Sequence, residues 1–247
     1  MVLIDNQILT VLGLAALPAL GNFGGGLLAE WLTPSEKILN YALHAASGII
    51  LAVVAVEVMP AALANTPVWL LALAFMGGGG AYLLMEAGVK RWQASKQSGA
   101  GAGAWMIYVA VASDLVGDGL LIGTGSAVSS QMALILALGQ VMADIPEGFA
   151  AVANFRDKGV RRSKRLLISA SFFLPVVGAA VVAYFALKGR SENLKMAGLV
   201  FVAGLYLLAA VEDMLREAHA SVEDSRWSAL SLLAGFTLFL VVSGGLR

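Results

Sequence analysis

The sequence predicts an all-α, polytopic membrane protein: one domain over residues 1–247, with eight transmembrane helices in a 3+2+3 arrangement. Composition is the first observation. Hydrophobic residues make up 59% and charged residues 13%, against about 45–50% and about 25% in soluble domains. Hydropathy is the second, with eight apolar stretches that each approach the roughly 20 residues needed to cross a bilayer core as a helix. The third is the absence of sustained alternation, which a transmembrane barrel strand would require. Lys+Arg and Asp+Glu are both 16, so no excess of positive charge draws in nucleic acid. Without cysteine there is no disulfide, thiolate metal site or redox dithiol.

The first span is Gln7–Ala29, where Gly21 and Gly24–Gly26 suit close helix packing. No Lys or Arg precedes Lys37, so this span lacks the basic start of a signal peptide and is expected to stay in the membrane. Ile38–Leu63 and Pro67–Glu86 follow. The stretch KRWQASKQSGAGAG, within a segment of about 88–103, reads as a flexible cytoplasmic loop. Trp105–Ala127 and Gln131–Ala153 form the middle pair. The basic stretch RDKGVRRSKR (Arg156–Arg165) separates them from Leu166–Leu187, Leu194–Val211 and Trp227–Val242. The outer triplets enter from opposite sides, as inverted repeats do.

Orientation follows from positive charge. One set of loops holds Lys37, Lys90, Arg91, Lys96, Arg156, Lys158, Arg161, Arg162, Lys164, Arg165, Arg216 and Arg226. The other side holds Lys188, Arg190, Lys195 and Arg247. The richer side is expected to be cytoplasmic, with both termini outside, in a cell inner (plasma) membrane.

Acids inside the apolar spans are the informative residues. Span four contains SDLVGDG with Asp114 and Asp118, and span five contains QVMADIPEG with Asp144 and Glu147. A charge at helix centre costs about 2.5–3.5 kcal/mol on insertion scales, so four cost on the order of 10 kcal/mol if additive. Asp114 and Asp118 share one helix face, Asp144 and Glu147 share another, and Gln140 lies one turn before Asp144. Packed face to face, the two spans would converge four carboxylates, which must be neutralised by protons or metal ions. Gly117 precedes Asp118, Pro146 precedes Glu147, and a glycine follows each acid. Both spans are therefore expected to be interrupted at their acids, the sequence pointer to a transport site.

These motifs resemble the ZIP (Zrt/Irt-like) divalent metal transporter family. DIPEG at Asp144–Gly148 is similar to that family's fifth-helix motif N/D-x-P-E-G, and DLVGDG at Asp114–Gly119 aligns with its fourth-helix motif H-N-x-P-E-G. EVMP at Glu57–Pro60 resembles the end of its second helix, and VEDMLREAH at Val211–His219 the end of its seventh. The resemblance implies a transporter rather than an enzyme, with Asp114, Asp118, Asp144 and Glu147 as metal ligands; Gln140, by its place on the Asp144 face, and Glu57 and Glu212 are further candidates. Leu115, Ala143 and Leu174 stand at positions where the family often has ligands. One tightly held ion per chain is therefore expected.

The ion stays open among Zn²⁺, Fe²⁺ and Mn²⁺. An all-oxygen site suits the harder ions, whereas the family resemblance includes zinc. The competing reading is a proton-coupled carrier of a non-metal solute with the same carboxylates as a relay. An intramembrane metallohydrolase finds no support, because no H-E-x-x-H motif is present. Glu212, Asp213, Glu217 and His219 are candidates for an inner exit site, with His219 placed in the last inside loop. Asn22 and Ser113 are candidates for hydrogen bonds across helices. Expected partners are the metal-ion substrate and the lipid bilayer, and a homodimer is left open.

Overall fold

A computed structural model describes residues 6–32, 35–64, 66–95, 102–221 and 225–246. Among them no strand occurs, and eight helices are long and apolar enough to cross a membrane. We label them α1 (Asn6–Trp31), α2 (Glu36–Leu63), α3 (Val68–Ser95), α4 (Ala102–Val128), α5 (Ser130–Asp157), α6 (Arg162–Leu187), α7 (Glu192–His219) and α8 (Arg226–Gly245). The protein is a multi-pass membrane protein. Large apolar side chains such as Leu84, Leu167, Trp69 and Val241 cover its outer surface, where they meet lipid.

Helix starts follow local chemistry. Ser35, Ser129 and Ser225 each accept a backbone N–H of the following turn, capping α2, α5 and α8. α6 has a turn at Phe172, because Pro175 cannot donate to the carbonyl of Ser171. α3 continues through Ser95, so the first part of the expected flexible loop is helical; residues 96–101 lie outside the described residues. α7 likewise continues past Val211, which places His219 on a helix and not in a loop.

The helices form two groups. α1 packs along α5 and α4 along α6, with α1 also against α6 and α4 against α5. In the other group α2 packs along α8 and α3 along α7, with α2 also against α7. The groups meet where α2 touches α5 and α4 touches α7. This scheme maps onto itself when the first triplet is exchanged with the last and α4 with α5, which is the inverted-repeat pattern.

Glycine sets the spacing inside each group. A Cβ at Gly25 would overlap the carbonyl of Ile145, and one at Gly148 the backbone of Asn22, between α1 and α5. Gly119 and Gly123 do the same for α4 against Val176 and Ala180 of α6. Gly48 and Gly235 join α2 to α8, and Gly78 and Gly204 join α3 to α7. Between the groups the neighbours are side chains instead: Gly117 faces the Tyr206 ring, and Gly139 faces Val53 and Phe239.

The expected interruptions lie elsewhere. α4 and α5 run as unbroken helices through Gly117 and Pro146. The irregular turns are π-helical and sit in α2 (Val53–Val58) and α7 (Ala210–Met214). The same string, Ala-Val-Glu-x-Met, starts inside the first and ends one residue past it, at Ala55–Met59, and makes up the second, at Ala210–Met214. After the first, Pro60 cannot donate to the carbonyl of Val56, which loosens the ladder there. The glycines flanking the acids of α4 and α5 serve close approach, not unwinding.

Candidate metal centre

α4 and α5 lie side by side and bring their acids together. Carboxylate oxygens of Asp114, Asp144 and Glu147 all fall within 4.8 Å of one another, a group that could hold a metal ion. The side chains of Asp114 and Glu147 are within hydrogen-bonding reach of each other, and so are those of Asp118 and Asp144. Asp118 touches the group of three only through Asp144. Asp118 Oδ1 accepts from the Tyr206 hydroxyl and from Gln140 Nε2. Gln140 Nε2 also donates to the Tyr206 hydroxyl, at 2.5 Å. Asp118, Gln140 and Tyr206 are all buried, and their bonds cross the seam between the two helix groups.

The donor balance is one-sided. Oδ2 of Asp118, Oδ2 of Asp144, Oε2 of Glu147 and Oε1 of Gln140 are buried without a hydrogen-bond partner. Neither α4 nor α5 carries Lys, Arg or His before Arg156. Buried acceptors without donors are costly unless a cation or protons fill the gap. Asn22, buried on α1 where its backbone meets Gly148, also has both amide atoms unpaired.

A cavity of about 550 Å³ leads to this cluster. Asp114 and Glu147 line its deep end, and Glu86, Lys90, Asp213, Arg216 and Glu217 line it farther out, on the side rich in Lys and Arg. Tyr82 donates to Asp213 at 2.7 Å, Arg216 donates to Asp213 at 3.0 Å, and Asn154 donates to Glu217 at 3.0 Å. From the cavity inward the order is Glu147 with Asp114, then Asp144, then the Asp118–Gln140–Tyr206 contact.

The remaining sequence candidates separate from this centre. Glu57 is buried in the π-turn of α2, where its Oε2 accepts from Ser243 of α8 at 2.8 Å. Glu212 is exposed on the π-turn of α7. Of the proposed exit site, Asp213 and Glu217 line the cavity, whereas His219 stacks obliquely near His44, with ring centroids 5.4 Å apart. Ser113 bonds within its own helix, to the carbonyl of Val109 at 2.8 Å. Leu115 is fully buried against Phe172 and Val176, away from the acids. Leu174 is 76% exposed, so its apolar side chain is a lipid-facing choice and does not stand for a lost ligand.

Tyr206 is the residue that sequence reasoning missed. One signal was available: a phenol in the middle of an otherwise apolar helix must find a partner for its hydroxyl. Comparison with protein-family models and with curated proteins finds no match.

Proposed function

We propose that this protein moves divalent metal cations of the Zn, Fe or Mn class across a plasma membrane. The carrying observation is the group Asp114, Asp144 and Glu147, with oxygens within 4.8 Å and a cavity leading to it from one side. The motif resemblance to the ZIP family supports the same reading, and the charge split supports a cytoplasmic mouth for the cavity. In this mechanism the ion exchanges water for carboxylate oxygens between α4 and α5. The seam through Asp118, Gln140 and Tyr206 then opens and closes as one helix group rocks against the other. The ion neutralises acceptors that otherwise lack donors.

The test is uptake into proteoliposomes, read with Mn²⁺, Zn²⁺ and Fe²⁺ in turn. Uptake is expected in the parent and is expected to be lost in Asp114→Asn and Glu147→Gln. If both variants transport every ion as the parent does, the carboxylates do not carry the cargo. Proton movement driven by a pH step, with no divalent ion bound or moved, would favour the relay reading.

A further inference from the structure

A second cavity, separate from the carboxylate centre, lies between the start of α4 and the turn joining α5 to α6. Its volume is about 910 Å³, and Trp105, Tyr108, Lys158, Arg161, Lys164 and Leu167 are among its lining residues. No carboxylate lines it. Asp157, the nearest acid in sequence, is exposed and does not contribute a wall.

The basic loop divides by partner. Arg165 holds Glu30 of α1 with two bonds, at 2.6 and 2.7 Å, Arg162 approaches the same carboxylate at 3.6 Å, and Arg156 donates to the carbonyl of Ala29. Those three cations fasten α1. Lys158, Arg161 and Lys164 form no ion pair among the described residues, and it is these that surround the cavity. Lys158 reaches across the start of α4, since a Cβ at Gly103 would meet its Cδ at 3.4 Å. Arg161 is the N-cap residue of α6 and makes no side-chain cap bond. The first N–H groups of that helix therefore have no side-chain acceptor from their cap, and an anion there is favoured by both donors and dipole.

The opposite wall is aromatic and apolar. Trp105 stacks on Tyr108 with centroids 5.1 Å apart, and Tyr108 on Phe172 at 5.3 Å. Trp105 is 51% exposed and Leu167 is 71% exposed, so the cavity is continuous with the lipid-facing surface. Trp and Tyr collect at head-group depth, and basic pockets there take anionic head groups. A soluble phosphate would satisfy the cations but would have no use for the apolar wall.

We infer that this cavity binds an anionic glycerophospholipid: its phosphate lies among Lys158, Arg161, Lys164 and the start of α6, and its glycerol and upper acyl chain lie on Trp105, Tyr108 and Leu167. The binding is independent of the metal site. The experiment titrates delipidated protein in detergent with phosphatidylglycerol, phosphatidylcholine and soluble glycerol phosphate, reading bound lipid by native mass spectrometry and the shift in Tm. Phosphatidylglycerol is expected to bind and stabilise, and the other two are not. Each basic residue near a membrane surface contributes about fivefold, so Lys158→Gln/Lys164→Gln is expected to bind about thirtyfold more weakly. Lys37→Gln/Arg226→Gln removes the same charge elsewhere and is expected to bind as the parent. If the double variant folds poorly, Arg161→Gln supplies the readout, with a loss of about fivefold. Equal loss in the control pair would mean bulk charge attraction and would overturn the site. Glycerol phosphate binding as tightly as the lipid would overturn the lipid assignment, and unchanged binding in both site variants would overturn the whole inference.

Discussion

Glu147→Gln replaces one of the three carboxylates whose oxygens lie within 4.8 Å of one another, at nearly constant volume. At that separation, with an effective dielectric near 20, two ionised carboxylates repel by about 3.5 kcal/mol. A fully ionised trio would store about 10 kcal/mol, and the substitution removes two of its three pairs. Protonation of members of the cluster would relieve most of that repulsion in metal-free protein. The metal-free variant is therefore expected to gain only about 1 kcal/mol, or about 2–4 °C in Tm for a chain of this size. Metal reverses the ranking. At a concentration 100 times Kd the parent gains about 2.7 kcal/mol, which is about 5–10 °C. Loss of a direct anionic ligand is expected to weaken binding by at least about 100-fold, since losing an outer-shell contact alone costs about 10–100-fold. At the same metal concentration the variant then gains no more than about 0.4 kcal/mol, or about 1–2 °C. The assay is thermal unfolding in detergent with and without Mn²⁺, Zn²⁺ and Fe²⁺, beside Glu192→Gln as an exposed control on α7. A variant that is more stable alone and nearly indifferent to metal fits the reasoning. A variant that keeps the parent's full shift with all three ions refutes it.

Tyr206→Phe deletes the hydroxyl shared by Asp118 and Gln140 and is expected to destabilise by about 1–3 kcal/mol, read as a lower Tm; an unchanged Tm would mean the bond across the seam is not made. Gly148→Ala puts a Cβ into the backbone of Asn22 and is expected to lower Tm sharply or abolish folded yield, whereas Gly13→Ala meets nothing within 4 Å and is expected to be neutral or slightly stabilising. The chain has no cysteine, so single-cysteine labelling is unambiguous: Asp157→Cys is expected to label only from the cytoplasmic side and Ser191→Cys only from outside. The opposite labelling pattern would reverse the orientation and the side on which the cavity opens.

Much of the architecture was legible because lipid imposes a length rule. Eight apolar runs gave eight spans, and their ends were blurred only where helices extend into water, as α3 does to Ser95 and α7 does to His219. The acids were legible because charge in an apolar run has no neutral explanation. Spacing placed Asp114, Asp144 and Glu147 near one another, since positions three or four apart share a helix face. The role of Asp118 was not legible, because its partner hydroxyl comes from a residue 88 positions away. Gly117 and Pro146 were read as breaks, and the packing explains why they are not. Gly117 leaves room for a ring, and Pro146 is carried within a helix held by α1. The π-turns were missed although the repeated Ala-Val-Glu-x-Met lies at both, since a match of four residues in five becomes meaningful only when topology pairs its two copies.

The glycine contacts have a mechanical consequence. Where backbone rests on backbone, as at Gly25, Gly119, Gly48 and Gly78, there are no rotamers to flex and little room to slide. Where side chains mediate, as at Gly117 with Tyr206, torsions can change without lifting the helices apart. Stiffness is thus distributed unevenly through the molecule: four hard helix pairs, α1 with α5, α4 with α6, α2 with α8 and α3 with α7, are joined by softer contacts, and the carboxylates ride on two of those pairs. A load applied to this protein would be taken up as shear between such pairs, leaving Asp144 and Glu147 fixed relative to each other on α5 while Asp114 on α4 is freer to shift against them.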